Sequence, residues 1–126
     1  MNVPTSIKLH QKSRILELDF ADGKRVELSC ELLRVYSPSA EVKGHGPGQE
    51  VLQSGKKNVT ITELKPVGNY ALQLVFDDGH DTGIYSWDYL RDLGEKREAY
   101  WADYLERLNA AGLGRDPDVQ VVRIDL

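Results

Sequence analysis

His80 and the carboxylates around it, Asp77, Asp78 and Asp81, are the residues of this chain best suited to chemistry. An imidazole and carboxylates gathered on one tight turn suit zinc or iron. His45, in the glycine-rich stretch Gly44-His45-Gly46-Pro47-Gly48, could be carried to them by its loop. The candidate ligand set is therefore His80, Asp78, Asp81 and His45. The competing reading is a solvated hairpin tip, in which Asp and Gly serve the turn and His80 faces water. With no second His or Cys close by in sequence, that reading is favoured. It predicts that His80 is exposed or half-exposed and replaceable without loss of fold.

Other reactive groups are sparse. Cys30 alternates with Val26 and Leu28, so a buried structural thiol is expected in place of a nucleophile. No serine or cysteine has a base nearby in sequence or sits in an elbow motif. His10, His45 and His80 precede Lys12, Pro47 and Thr82 at the second position on, which rules out a local two-His-one-carboxylate iron motif. The glycine-rich loop lacks the Gly-Lys-Ser/Thr ending of a nucleotide-binding loop. The expectation is a protein that is not an enzyme. Tyr100, Trp101 and Tyr104 recur at helical spacing, the pattern of a core face. Three large rings are difficult to hide on one face, however, so together with Trp87 they are the candidate partner-binding residues.

The elements that must position these groups follow from periodicity. Ile7 and Leu9 suggest a short strand near residues 6–10. Leu16, Leu18 and Phe20 alternate with Glu17 and Asp19, turn at Asp22-Gly23 and return through Val26, Leu28 and Cys30. Ser29 can then cap a short helix. The pattern recurs in Leu72, Leu74 and Phe76, the Asp78-Gly79 turn, and Ser86 ahead of Trp87 to Arg91. The offset between the copies is constant up to the turn. It is one residue longer for Ser29/Ser86, Leu33/Leu90 and Arg34/Arg91, and Gly83 is the expected extra residue, as a bulge in the second return strand.

Two similar hairpin-helix units in one mostly antiparallel sheet, with a C-terminal amphipathic helix, make an α+β fold. Val59, Ile61 and Leu64 supply a further strand between the copies, and the segment 37–57 reads as a long loop. Gly94 is placed at the end of one helix, with another beginning at Glu95. Residues 1–115 form a single domain, and 116–126 are a tail or an edge strand through Val119, Val121 and Val122.

Composition bounds the function. Of the 126 residues, 40% are hydrophobic and 29% charged, as in a soluble globular domain. A net charge of −4 disfavours nucleic-acid binding, which needs a cationic footprint. No apolar run approaches a membrane span, and the N-terminus lacks the layout of a signal peptide. With a single cysteine no internal disulfide can form, so a cytoplasmic protein is expected.

Four blocks carry a resemblance: residues 32–42, residues 44–49, Gly68-Asn69-Tyr70-Ala71, and residues 78–87. They resemble the gamma-butyrobetaine hydroxylase-like N-terminal domain family, with free-standing bacterial members of unknown function, over about residues 5 to 95. In full-length hydroxylases the analogous domain precedes an iron- and 2-oxoglutarate-dependent catalytic domain; the resemblance here covers the first domain alone, so an isolated, non-catalytic domain is expected. There it holds a structural zinc through three cysteines and a histidine. The resemblance places those cysteines at Ser37, Ser39 and Val42 and the histidine at His80, so no structural zinc is expected, while weak iron or zinc binding stays open. Relatives joined to iron-sulfur scaffold proteins add an accessory role in cluster handling as the alternative to a non-catalytic interaction module. A protein partner or self-association would be its context.

Overall fold

The two alternating stretches become two antiparallel meanders of identical strand order in the computed structural model, which describes residues 3–44, 46 and 48–117. In the first unit, β1 (Pro4–His10), β2 (Ile15–Phe20) and β3 (Arg25–Ser29) lead into α1 (Cys30–Val35). In the second, β4 (Ile61–Val67), β5 (Ala71–Phe76) and β6 (Ile84–Ser86) lead into α3 (Trp87–Glu95). A short α2 (Ala40–Lys43) lies in the connection between units, and α4 (Arg97–Ala111) follows the second. The expected α+β class is observed. The expected single sheet is not, because each hairpin completes its own three-stranded sheet with a preceding strand. The two sheets share one apolar cluster.

That cluster holds Leu16, Leu18, Phe20, Leu72, Leu74 and Phe76, all buried as their alternation requires. Each contributes roughly 1.5–3 kcal/mol by leaving water. Cys30 is buried in the same cluster, where desolvation pushes its thiol pKa up. A satellite cluster of Val35, Tyr104 and Leu108 seats α4. Beyond α4, Arg115 makes a two-pronged ion pair with the buried Glu31 at 2.8 and 2.9 Å, tying the chain back to α1.

The duplication is visible atom by atom. Gly23 and Gly79 adopt φ of 85° and 91°, in the left-handed region that the turns require. In each turn the aspartate accepts the amide two residues on, Lys24 N–H to Asp22 Oδ1 and His80 N–H to Asp78 Oδ1, both at 3.2 Å. Ser29 caps α1 at Leu32 N–H, and Ser86 caps α3 at Tyr89 N–H. The units also exchange ion pairs. Arg34 of α1 donates Nε–H to Asp78 Oδ2 of the second turn at 2.8 Å, and Arg91 of α3 donates Nη2–H to Asp22 Oδ2 of the first at 2.6 Å. Each helix thus holds the other unit's turn.

Two local expectations need correction. Gly83 is not a bulge within a strand but lies before β6, whose three residues make a shorter return than β3. There the backbone passes so close to Ser37 that a Cβ at Gly83 would fall 2.5 Å from Ser37 Oγ. The helix placed to end at Gly94 continues through Glu95, and α4 begins at Arg97. No helix among the described residues is long and apolar enough to cross a membrane. The edge strand expected at Val119, Val121 and Val122 lies outside the described residues.

Candidate functional site

The segment that joins the units folds back over the second turn and makes a polar knot there. α1 ends at Val35, and the chain turns through Tyr36, Ser37 and Pro38 to Ser39, whose hydroxyl caps α2 at Glu41 N–H. This route lays Ser37, Ser39 and Glu41 against residues 80–83. Ser37 Oγ lies 2.7 Å from His80 Nε2, Glu41 Oε2 lies 3.0 Å from His80 Nδ1, and Ser39 Oγ lies 2.7 Å from Thr82 Oγ1. With a carboxylate as its partner, Nδ1 carries the imidazole proton, and Nε2 accepts the Ser37 hydroxyl. His80 is consequently buried, which overturns the solvated-tip expectation. Its ring lies 6.0 Å from that of the buried Phe76, and residues 37–41 cover it.

The electrostatics follow from this cover. Desolvation lowers the His80 pKa, the Arg34 guanidinium adds to the effect, and Glu41 and Asp78 oppose it. For Asp78, burial alone would raise the pKa. Hydrogen bonds from Lys56, the His80 amide and Arg34 override it and hold the carboxyl at about 2. Lys56 Nζ reaches Asp78 Oδ2 at 2.6 Å, so this one carboxylate oxygen serves two cations. Arg34 Nη1 is buried without a hydrogen-bond partner.

A serine, a histidine and a glutamate in series have the connectivity of a nucleophilic triad. Sequence reasoning missed it, because it looked for a base near each serine along the chain and not in space. The order of exposure, however, is the reverse of what such chemistry needs. Ser37 is 0% exposed and His80 6%, while the Glu41 side chain is 62% exposed. A nucleophile must meet its substrate, and the orienting acid works best when shielded. The close passage of Gly83 further closes the space beside Ser37 Oγ. The knot can orient and neutralise; in this conformation it cannot attack.

The metal reading meets a similar obstacle. Of the positions that the resemblance assigns to zinc, two are hydroxyls already hydrogen-bonded and Val42 is a buried hydrocarbon. His80 has both ring nitrogens engaged. Such a donor set does not fit a zinc ion. Among the described residues no group of three or more His, Cys, Asp and Glu could hold a metal. Asp78 is saturated by its cations, Asp81 is exposed beside the knot with its carbonyl accepting from Gln73, and His45 lies outside the described residues.

The aromatic candidates divide. Trp87 and Tyr104 are core residues, the indole N–H donating to Asn69 C=O at 2.8 Å and the phenol to Gln53 C=O at 2.8 Å. Tyr100 and Trp101 are half-buried, and Trp101 lies under the Arg115 guanidinium, 4.9 Å from its ring centroid. Sequence reasoning also passed over Arg34, Glu41 and Lys56. Only Arg34 had a signal, as the duplicate of Arg91 beside duplicated aspartates.

Known proteins agree with this architecture. The family described as gamma-butyrobetaine hydroxylase-like, N-terminal, matches residues 7–91. No curated protein matches the chain. Two solution NMR structures are 49% and 53% identical, with TM-scores of 0.84 and 0.80. Both matches cover 100% of this chain, with 99% and 95% of the respective relatives. A crystal structure from Acidithiobacillus ferrooxidans, of a DUF971-family protein of unknown function, is 41% identical with a TM-score of 0.58. That match covers 73% of this chain and 92% of the other.

Proposed function

The chain belongs to the gamma-butyrobetaine hydroxylase-like N-terminal family, and within it we propose a non-catalytic interaction module that docks to a protein partner. One observation carries this reading: the only nucleophile-base-acid series among the described side-chain contacts has its serine sealed and its acid in solvent. Its polar residues brace the fold, which leaves function to the surface. The docking face we assign is the edge of α4 centred on the 39% exposed Leu105, flanked by the half-buried Trp101 and Tyr100, whose inner sides pack on the core. A metal-binding accessory role is less well supported, because His80 and Asp78 would have to give up existing partners before ligating.

The test has two arms. A fluorophosphonate probe followed by mass spectrometry should leave Ser37 unmodified, and a Ser37 adduct would overturn the non-catalytic reading. Leu105→Glu should keep the fold while abolishing a saturable complex, or a concentration-dependent rise in mass if the partner is a second copy. An unaltered complex would remove α4 as the docking face.

A further inference from the structure

A second feature lies on the other side of the connecting segment, independent of the docking face. Residues 50–53 run back past α2, held by Val51 N–H donating to Val42 C=O at 2.7 Å and by Tyr104 O–H donating to Gln53 C=O at 2.8 Å. They enclose a cleft of about 90 Å³ above the satellite core. Its base is apolar, formed by buried Val35 and Val42 and half-buried Leu52. Tyr36 and Tyr89 supply aromatic walls, and Tyr89 O–H donates to the Tyr36 carbonyl, which fixes one wall to the other.

The charged groups lining this cleft are unusual in what holds them. Lys43 Nζ sits 4.8 Å from the Tyr89 ring centroid, and the Arg107 guanidinium carbon 5.5 Å from that of Tyr36. Ring faces attract cations without spending their N–H donors. Lys43 has no carboxylate partner among the described residues. Arg107 donates Nη2–H to Tyr36 Oη at 3.1 Å. Its Nε lies 3.1 Å from Asp103 Oδ2 but is buried without a hydrogen bond. Glu50 is the one carboxylate lining the cleft.

The geometry points to a binding site for a short-chain carboxylate, its hydrocarbon end on Val35, Val42 and Leu52 and its carboxylate on Lys43 and Arg107. The space of about 90 Å³ takes the hydrocarbon end, and the cleft is open at its mouth, which leaves the carboxylate at the rim beside the exposed Lys43. An apolar base with a few convergent polar groups is the usual anatomy of a small-ligand site. Glu50 leaves room for an added ammonium, so a free carboxylate and an apolar amino acid share the recognised chemistry.

Titration of the uniformly 15N-labelled protein with butyrate, valine and butyramide tests this site. The expected result is saturable amide shifts confined to residues 35–37, 42–43, 50–53 and 107 with butyrate or valine, and none with the neutral butyramide. Butyrate alone would identify a simple carboxylate site, and valine alone one that also uses Glu50. Lys43→Met and Arg107→Gln should each weaken the response by roughly fivefold or more, as loss of a charge-assisted hydrogen bond does. Lys43 is exposed, so its variant should keep the wild-type spectrum elsewhere. Equal response to butyramide, shifts away from this cleft, no response to either carboxylate, or undiminished binding in both variants would overturn the assignment.

Discussion

The turns Asp22-Gly23-Lys24 and Asp78-Gly79-His80 begin from the same backbone: the same left-handed glycine, the same aspartate accepting the next-but-one amide, the same arginine arriving from the other unit. They end in different environments. Lys24 is exposed and Asp22 half in water, whereas His80 is buried and the Asp78 carboxylate is gripped by Arg34 and Lys56. The hairpins do not make this difference. The segment between the units does, because residues 37–41 and Lys56 pack against the second turn and, among the described residues, nothing equivalent covers the first. A duplicated element became a specialised one by acquiring a cover, with its own backbone geometry left intact.

The exchanged arginines separate the two turns most strongly. Arg34→Ala should cost about 2–3 kcal/mol, since it removes a buried guanidinium and one of the two cations on the partly exposed Asp78 carboxylate. Arg91→Ala should cost much less, because Asp22 is open to solvent and the pair is screened. Denaturant unfolding of both variants measures the contrast. Equal losses would mean that the cover contributes nothing to the ion pair.

A second gap is expected at the residues that differ. His80→Ala should destabilise by about 2–3 kcal/mol, through a cavity and the loss of the acceptor for the buried Ser37 O–H, while Lys24→Ala stays within about 0.5 kcal/mol. Thermal and urea unfolding of the pair decide it. A near-neutral His80→Ala would restore the solvated tip.

These contrasts also show which features are local in origin. The strands, both Asp-Gly turns and both serine caps are set by residues within a few positions of one another, so alternation and turn chemistry foretold them. The burial of His80 is set by Ser37 and Glu41, 43 and 39 positions away in sequence. No periodicity in the hairpin carries that information. Lys24, on the uncovered turn, is exposed as hairpin geometry alone predicts for the residue after the glycine. The strands that became β1 and β4 were legible too; what alternation could not give is that each completes a separate sheet, since pairing partners are not encoded in one strand's period.

Acidity sharpens the comparison further. The His80 pKa is lower in the folded chain than in the unfolded one, so at mildly acidic pH the unfolded state binds more protons. The stability from the neutral imidazole is complete above the unfolded value of about 6.5 and is lost as pH falls below it toward the folded value. Asp78 adds a second loss at lower pH, beginning below the ordinary carboxyl value of 3.8 and completed as pH falls through about 2. Unfolding free energy followed from pH 7.5 to 5 should decline in the wild type and flatten in His80→Gln. An unchanged slope would assign the decline to other groups.

The smallest effect concerns metal. With hydroxyls and a valine at the positions where thiolates would stand, removal of divalent ions by chelator should leave the melting temperature unchanged within error. Zinc retained stoichiometrically through dialysis, with unfolding on its removal, would mean that the knot opens to admit a metal.

The central claim is that His80 is held neutral between Ser37 and Glu41 under a closed cover, and the 15N spectrum of its imidazole reads this most directly. The account predicts a protonated Nδ1 and a hydrogen-bonded, unprotonated Nε2, persisting below the ordinary histidine range as pH is lowered. A freely titrating ring with its midpoint near 6.5, or the proton on Nε2 at neutral pH, would contradict it.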